Sequence, residues 1–295
     1  MAMMQPFAAL QVVKDTFNEA AEALGQDLWK LVEEGPAEQL NATVNTQPVM
    51  LTAAYAVYRA WQQAGGAAPA MVAGHSLGEY TALVAAGVIA FKDAVPLVRF
   101  RAQAMQEAVP MGTGAMAAIL GLDDDAVRAA CAEASQGETV EAVNFNAPNQ
   151  VVIAGNQAAV ERAAAACKAK GAKRALMLPV SAPFHSTLLK PAADRLAEYM
   201  KNVTFDVPLM PVVNNVDVAV LNEPASIKAA LARQACSPVR WVEVIRYMAE
   251  AGVTHIAECG PGKILAGMTQ RIEKNLQSYA ITDPASLAQV LEALK

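Results

Sequence analysis

The chain has 295 residues and a formal net charge of -5, and 54% of its residues are hydrophobic but only 5% aromatic. This length can form one large buried core or two smaller ones, and the low aromatic content favours an α/β protein over a β-sandwich. The negative charge argues against nucleic acid as the main partner, and no apolar run reaches the roughly eighteen residues of a membrane span.

The number and spacing of the cysteines and histidines argue against a disulfide-rich protein and against a metalloprotein. The four cysteines are widely scattered and form no C-x-x-C pair: Cys131, Cys167, Cys236 and Cys259. We therefore expect buried thiols in a reducing compartment, not a disulfide framework or a zinc site. With only three histidines as well, neither a metal centre nor a cofactor is expected. The first ten residues lack the pattern of a signal peptide, so we expect a cytoplasmic protein, and a monomer.

The N-terminal part of the chain has the pattern of successive helices. Apolar residues recur at helical spacing from Gln11 to Leu24, directly before Gly25, which predicts a helix that ends at the glycine. A short helix is expected from Leu28 to Glu33 and a longer one from about Val49 to Ala64. We expect no regular structure from Met1 to Phe7.

The segment from Ala70 to Gly87 predicts a strand, a tight turn and a helix. Its turn is Gly74-His75-Ser76-Leu77-Gly78, a G-x-S-x-G motif with one serine at the apex. Such a turn presents the serine hydroxyl at the top of a sheet, and glycine on both sides relieves backbone clashes. The following helix points its free N–H groups at the serine oxygen. Ser76 is therefore the predicted nucleophile; a turn with an ordinary serine is the alternative.

The next predicted helix carries an arginine that needs an explanation. It runs from an Asp93 N-cap to about Ala108, and its apolar residues define one buried face. Arg99 and Arg101 cannot both lie on that face or both lie opposite it. An arginine directed inward near the serine could bind a carboxylate with two hydrogen bonds, whereas a solvated helix arginine is the alternative.

From Gly112 the pattern changes to that of a β-α-β-β-α-β insert. The predicted elements are Ala115 to Leu120, Asp123 to Ala134, Val140 to Asn144, Val151 to Ala154, Ala158 to Lys170 and Lys173 to Val180. This order is ferredoxin-like. After it we expect further helices and strands at Leu188 to Lys201, Met210 to Asn214, Ser226 to Ala235, Trp241 to Ala251, His255 to Cys259 and Ser286 to Leu294. The predicted class is α/β: a large, discontinuous, α/β-hydrolase-like domain with a parallel sheet (residues 1–110 and 184–295) and a small ferredoxin-like domain (residues 111–183).

A nucleophilic serine needs a base, and three histidines are available. The side chain of His75 is expected to point away from its neighbour Ser76, and His255 lies in an apolar strand where a packed core imidazole is expected. His185 lies in the loop from Ser181 to Ser186, stiffened by proline and suited to overhang an active site. His185 is the predicted base. No acidic residue stands out as its orienting partner, and a carbonyl of Gln234, at a helix end, is one option.

Several ordered sequence blocks together resemble the malonyl-CoA:acyl carrier protein transacylase family of bacterial fatty acid synthesis. The resemblance extends almost from end to end. The blocks are T-Q-P (46–48), G-H-S-L-G-E-Y (74–80), R-A-Q-A-M-Q (101–106), V-N-F-N-A-P (143–148), P-F-H-S (183–186), P-V-V-N-N-V (211–216) and E-C-G-P-G-K-I-L (258–265).

The resemblance implies an acyltransferase that moves malonyl from malonyl-CoA to acyl carrier protein through a malonyl-serine. Ser76 would be the nucleophile and His185 its base. In this family a main-chain carbonyl at the position of Gln234 orients the histidine, and the Leu77 amide is an oxyanion donor. The substrate-binding residues implied are Arg101 for the malonyl carboxylate, Gln47 near it, Phe184 against a branched acyl group, and His75, Asn144 and Asn146 at the acyl or pantetheine entrance.

The sequence departs from the family pattern at one point. The family begins with a strand that leads into G-Q-G-S-Q, whose last glutamine supplies an oxyanion N–H, and this sequence has no such segment. We expect a start codon assigned too late; a truncated chain or an impaired protein are the alternatives. Two further functions therefore stay open at this point: a serine esterase or thioesterase, and a carrier-protein-binding module without catalysis.

Overall fold

The chain forms a larger α/β unit and a smaller antiparallel sheet covered by two helices. A computed structural model describes residues 3–180 and 182–294. The larger unit begins with α1 (Gln11–Leu24), α2 (Leu28–Glu34), α3 (Ala37–Asn41), α4 (Thr43–Gln63), β1 (Val72–Ala73), α5 (Leu77–Ala85) and α6 (Phe91–Glu107). It continues after the smaller unit with α9 (Lys190–Met200), β6 (Val212–Val213), α10 (Pro224–Gln234), α11 (Trp241–Glu250), β7 (His255–Cys259), α12 (Ile264–Ile272), β8 (Gln277–Ile281) and α13 (Pro284–Ala293).

Parallel strands in the larger unit are present as two separate ladders. β1 pairs with β6 and β7 pairs with β8, both parallel, and helices surround them. Residues of β1 and β7 also line one and the same cavity, described below. Among the described residues, no helix is both long and apolar enough to cross a membrane.

The smaller unit has the predicted β-α-β-β-α-β order. Its elements are β2 (Gly114–Leu120), α7 (Asp124–Ser135), β3 (Val140–Ala147), β4 (Gln150–Asn156), α8 (Gln157–Ala169) and β5 (Arg174–Met177). The sheet order is β3-β4-β2-β5 and every pairing is antiparallel. One face of this sheet packs on α7 and α8, and its core is continuous with apolar side chains of α11. All these elements fall between residues 111 and 183, the range predicted for the small domain.

Local sequence features explain where several helices begin and end. α1 ends at Gly25, whose φ of 66° is readily adopted by glycine. The Asp123 side chain accepts the N–H of Ala126 and caps α7, and the Asp283 side chain forms a capping box at the start of α13. The Asp123 cap lies where the sequence predicts a helix start, whereas α13 begins at Pro284, before the predicted start at Ser286.

The structure corrects the expectations for the N-terminus and for α6. Gln5–Phe7 forms a 3-10 turn, and Met4 and Phe7 are completely buried in the core of the larger unit, so this segment is not unstructured. Met1 and Ala2, to which the same expectation applied, lie outside the described residues. Helix α6 begins two residues before Asp93, which lies in its first turn and is not the N-cap.

The C-terminal region differs from expectation in two ways. His255 is exposed and stacks on the ring of Tyr279 with centroids 6.2 Å apart, so it is not a core imidazole. Helix α12 and strand β8 were not predicted from the sequence. For α12 the reason is the preceding Gly260-Pro261-Gly262, a composition typical of a loop. Strands β5 and β6 are shorter than predicted.

Candidate active site

The turn between β1 and α5 holds Ser76 in a strained backbone conformation. Ser76 has φ 52° and ψ −110°, a region that residues other than glycine rarely adopt. A Cβ added at Gly74 would lie 1.9 Å from the carbonyl carbon of Gly78, so only glycine fits at position 74. A Cβ added at Gly78 would meet nothing within 4 Å. The expectation that both glycines relieve a clash is therefore wrong at Gly78.

Ser76 and His185, the predicted nucleophile and base, lie within hydrogen-bond distance of each other. The Ser76 Oγ lies 2.7 Å from the His185 Nε2, although the two residues are 109 positions apart. The His185 Nδ1 lies 2.8 Å from the main-chain oxygen of Gln234, at the end of α10. Because a carbonyl oxygen can only accept, Nδ1 carries the proton and Nε2 is free to receive the one from Ser76.

The imidazole of His185 is kept neutral by its surroundings. Its side chain is buried, and burial together with the nearby charge of Arg101 lowers its pKa to about 3. A neutral imidazole is the form that can accept a proton. Ser181, the first residue of the predicted loop, lies outside the described residues.

Arg101 is directed inward and contacts the nucleophile. It is only 2% exposed, and its Nη2 donates to the Ser76 Oγ at 3.0 Å. Nη2 also donates to the Gln234 Oε1 at 3.0 Å, and Nη1 donates to the Gln47 Oε1 at 2.7 Å. Arg99, two positions earlier, instead binds groups near the start of α4, including the main-chain oxygen of Val44. The structure thus separates the two arginines that the sequence left ambiguous.

The charge of Arg101 is incompletely compensated. The hydrogen bonds described for its guanidinium all go to neutral oxygen atoms, and its buried Nε has no hydrogen-bond partner within residues 3–180 and 182–294. The aromatic ring of Tyr80 lies 5.3 Å from its Cζ, and burial lowers the pKa of the guanidinium. A buried cation of this kind provides a binding site for an anionic group at the serine.

The other predicted binding residues lie around the same space. The His75 Nε2 is 2.7 Å from the Asn146 Oδ1, and its ring meets Trp241 edge-on. Asn144 and Asn146 are both buried in β3, beside irregularities in its pairing with β4. His75 therefore points away from Ser76, as the sequence predicts.

A cavity of about 1020 Å³ connects these side chains. Its lining includes nearly every predicted site residue: Gln47, His75, Ser76, Leu77, Arg101, Asn144, Asn146, Phe184 and His185. Gln234 is not in the lining, because it is completely buried behind Ser76. The cavity surface is mainly apolar and extends between β1 and β7, so an acyl chain or a pantetheine arm could enter it.

Sequence reasoning missed two buried residues behind the serine. Glu79 lies in the first turn of α5, and Asn215 follows β6; neither was assigned a role. Burial raises the pKa of the Glu79 carboxyl to about 7. Both residues belong to sequence blocks of the family resemblance, G-H-S-L-G-E-Y and P-V-V-N-N-V, and an inward polar residue in each block was the available signal.

Thiols and possible metal ligands are dispersed in the part of the chain that the structure describes. All four cysteines are free thiols. Residues 3–180 and 182–294 contain no group of three or more His, Cys, Asp or Glu side chains that could hold a metal ion. Cys131 and Cys167 are buried as expected, whereas Cys236 and Cys259 are only half-buried. Desolvation raises the pKa of the Cys131 and Cys259 thiols to about 12.

Comparisons with known proteins agree with this geometry. Residues 1–293 match the model of the acyl transferase domain family. The chain is 58% identical to the malonyl CoA-acyl carrier protein transacylase of Escherichia coli strain K12 over 285 residues, which is 97% of this chain and 92% of that protein. It superposes with a TM-score of 0.98 on the acyl-carrier-protein S-malonyltransferase of Burkholderia pseudomallei 1710b, at 66% identity, covering 99% of this chain and 95% of the other.

A further solved structure contains a carrier protein. It is a malonyl-transacylase in complex with its type II PKS acyl-carrier protein, and it matches this chain with a TM-score of 0.98 and 53% identity over 99% of this chain and 95% of the other. These similarities confirm the predicted family resemblance and the predicted fold class, a large α/β part with a smaller ferredoxin-like part.

Proposed function

Because the chain belongs to the acyl transferase domain family, we propose that it transfers the malonyl group from malonyl-CoA to the phosphopantetheine thiol of acyl carrier protein. It is an acyltransferase, and the reaction supplies malonyl units to fatty acid synthesis. The observation that carries this function is the contact between Ser76 and Arg101. The nucleophilic oxygen and the incompletely compensated guanidinium are 3.0 Å apart, so one cavity offers a site for an acyl carbon and for a carboxylate.

In the first half-reaction, Ser76 attacks the thioester carbonyl of malonyl-CoA. The His185 Nε2 takes the hydroxyl proton as the Oγ–C bond forms, and a tetrahedral intermediate results. Collapse of the intermediate breaks the C–S bond, and His185 returns the proton to the departing CoA sulfur. The products are CoA thiol and malonyl-Ser76. The main-chain oxygen of Gln234 keeps the imidazole in the required tautomer throughout.

The proposed oxyanion donor is the N–H of Leu77. Leu77 is the first residue of α5, so its N–H has no intrahelical partner and lies at the positive end of the helix dipole. The N–H of Ser76 is not available, because it donates to the Asn215 Oδ1 at 2.7 Å. A donor directed at the developing negative charge typically contributes about a hundred- to a thousandfold in rate.

In the second half-reaction, the pantetheine thiol replaces CoA. Its proton passes to the His185 Nε2 while its sulfur attacks the malonyl-serine carbonyl, and the Ser76 oxygen regains the proton when the ester bond breaks. The apolar lining of the cavity supports transfer to a thiol over hydrolysis, because it disfavours ordered water near the ester.

We assign the selection of the malonyl group to residues around Ser76. Arg101, held by Gln47 and Gln234, would bind the malonyl carboxylate and discriminate against neutral acyl groups. Phe184, half-buried in the cavity wall next to His185, would limit space for a branched acyl group. His75, Asn144 and Asn146 would contact the acyl or pantetheine chain from the opposite wall.

The predicted domain boundaries and location form part of the same proposal. We propose a catalytic domain of residues 1–110 and 184–295 and a small domain of residues 111–183, between which the cavity lies. The free state of the four cysteines supports a reducing, cytoplasmic location.

Intact-mass measurement after incubation with malonyl-CoA tests the function. We expect one malonyl adduct, mapped to Ser76 by peptide analysis and lost on addition of carrier protein that bears phosphopantetheine. Ser76→Ala should abolish the adduct, whereas Ser135→Ala, at the half-buried last residue of α7, should not. Adduct that disappears equally fast without carrier protein would indicate a hydrolase, and carrier-protein binding without any adduct would indicate a non-catalytic module.

Substitution of Arg101 distinguishes a malonyl transferase from a general esterase. Arg101→Lys should lower kcat/KM for malonyl-CoA about 30-fold or more, because a buried carboxylate would lose a bidentate partner worth about 2 kcal/mol or more. The matched control is Arg99→Lys on the same helix, which leaves the contacts of Ser76 intact. Equal activity of Arg101→Lys and the parent towards malonyl-CoA would argue for an esterase.

A further inference from the structure

A single buried carboxylate lies directly behind the nucleophile turn. Glu79 is 2% exposed, and its Oε2 accepts two hydrogen bonds. One is from the main-chain N–H of Asn215 at 2.9 Å, and the other is from the Gln234 Nε2 at 2.8 Å. Glu79 therefore joins two segments that are 136 and 155 residues away in sequence and that both contact Ser76.

The Asn215 side chain forms hydrogen bonds with the backbone on the N-terminal side of Ser76, the residue with the strained conformation. Its Nδ2 donates to the main-chain oxygen of Gly74 at 2.8 Å, and its Oδ1 accepts the N–H of Ser76 at 2.7 Å. Asn215 is completely buried, so both bonds are made away from water. A residue with φ 52° and ψ −110° persists only where its surroundings hold it, and this amide supplies two of the contacts that do so.

The Gln234 side chain holds the other side of Ser76. Its Nε2 donates to the main-chain oxygen of Ser76 at 3.0 Å as well as to Glu79. Its Oε1 accepts from Arg101, while its main-chain oxygen accepts from His185. With two acceptors facing Nε2 and a guanidinium facing Oε1, only one orientation of this amide satisfies all its partners. The placement of Gln234 thus determines the positions of both the base and the arginine.

We infer that Glu79 and Asn215 are positioning residues for the acyl transfer: they hold the Ser76 backbone and, through Gln234, set the positions of His185 and Arg101. This inference deepens the proposed function and rests on it. Its physical basis is that a displacement of about 1 Å between reacting groups costs on the order of a hundredfold in rate. The hydrogen-bond acceptor at Oε2 is the group required, since both of its partners are N–H donors.

The test compares variants that keep the acceptor with variants that remove it. Glu79→Ala removes the acceptor of the Asn215 N–H and one of the two acceptors of the Gln234 Nε2, whereas Glu79→Gln can present an oxygen to both donors. We expect Glu79→Ala to lower kcat for malonyl transfer about a hundredfold with a smaller change in KM. Glu79→Gln should restore the rate to within about tenfold of the parent. Equal losses in the two variants would overturn the inference, as would parent-like kcat in folded Glu79→Ala.

Asn214 provides a matched control for Asn215. Asn214 is the neighbouring residue and is also buried, but the hydrogen bonds described for its side chain stay within its own loop, at the main-chain groups of Val216, Asp217 and Ala219. Asn215→Ala should slow the reaction about a hundredfold, whereas Asn214→Ala should lower the thermal midpoint with little effect on kcat. Equal effects of the two variants on kcat would show a purely structural role and would overturn the inference.

Two further measurements keep the test decisive. If the alanine variants fail to fold, the near-isosteric variants Glu79→Gln and Asn215→Asp replace them in the kinetic test. Asn215→Asp loses the N–H donor to the main-chain oxygen of Gly74, so its kcat for malonyl transfer should be low. The kcat of Glu79→Gln should stay close to that of the parent. A lower kcat in Glu79→Gln than in Asn215→Asp would overturn the inference. The rate of Ser76 labelling by a fluorophosphonate is measured in parallel, because this probe requires an activated serine but no malonyl recognition. Failure of malonyl transfer with normal labelling in the parent would refute the proposed function alone, and the variants would still report on positioning.

Discussion

Ser76 and His185 meet side chain to side chain although both have a backbone conformation that favours glycine. The Oγ–Nε2 distance is 2.7 Å, and the φ angles are 52° for Ser76 and 66° for His185. Positive φ at both residues of this hydrogen-bonded pair indicates that surrounding contacts, not local preference, hold the two residues together. For Ser76 these contacts are the side chains of Asn215 and Gln234.

The pH at which the reactivity of Ser76 falls on acidification should depend on Arg101. The proton-accepting form of His185 is the neutral one, which predominates above its pKa of about 3. Burial is the first cause of that low pKa and the charge of Arg101 is the second, so Arg101→Ala should raise the pKa. Fluorophosphonate labelling of Ser76, measured from pH 3.5 to 8, should lose rate at a higher pH in Arg101→Ala than in the parent. Identical pH profiles for the two proteins would contradict this expectation.

The two glycines of the turn should differ sharply in their tolerance of alanine. Gly74→Ala places a Cβ 1.9 Å from the Gly78 main chain, so the turn must move and we expect loss of both activity and stability. Gly78→Ala places its Cβ in open space within a helix, where alanine is favoured by up to about 1 kcal/mol. Thermal unfolding and malonyl adduct formation should therefore show a severe defect in Gly74→Ala only. Comparable defects in both variants would refute the steric explanation.

Phe184 should limit the size of the acyl group. Its side chain packs against the Met116 and Val143 cluster at the cavity wall, next to His185. Phe184→Ala should raise the ratio of kcat/KM for methylmalonyl-CoA to that for malonyl-CoA by about tenfold or more, because one methyl group in an apolar pocket is worth about 1–3 kcal/mol. Competition between the two thioesters for Ser76, followed by intact mass, measures the ratio within one sample. A ratio unchanged from the parent would assign selectivity to other residues.

Glu79 should give the protein a pH-dependent stability that Glu79→Gln lacks. Burial raises the pKa of Glu79 from 4.5 to about 7, so the folded state retains a proton that the unfolded state has lost between these values. Stability attributable to this group is fully present below pH 4.5 and is lost as the pH rises through about 7. The free energy of unfolding of Glu79→Gln, relative to the parent, should therefore increase across that window by roughly 3 kcal/mol at most.

Urea denaturation at pH 4.5, 6 and 7.5 measures this difference. Asn214→Ala serves as the control, since its side chain does not titrate and its difference from the parent should stay constant with pH. A constant difference for Glu79→Gln as well would show that Glu79 keeps an ordinary pKa in the folded protein.

Much of the fold and part of the candidate site could be predicted because their causes are local. Helix spacing, glycine stops and the alternation of strands and helices depend on residues within a few positions, and they indicated α1, α4 and the small antiparallel sheet. Ser76 was identifiable for the same reason, since the glycine turn, strand and helix around it are contiguous. The sequence by itself therefore determined the class of fold and singled out Ser76 as the proposed nucleophile.

Only the tertiary structure decided which distant polar groups meet. Arg99 and Arg101 have similar sequence surroundings, and the packing of α6 against α4 directs one to the start of α4 and the other to Ser76. His255 lies in an apolar segment yet is exposed, because β7 is flanked on only one side by a described strand. Glu79 and Asn215 were recognisable only as polar residues within sequence blocks of the family resemblance, and nothing local showed that Glu79 meets Asn215 and Gln234. Hydrogen bonds between residues more than a hundred positions apart depend on the path of the whole chain, and hydrophobic periodicity does not encode that path.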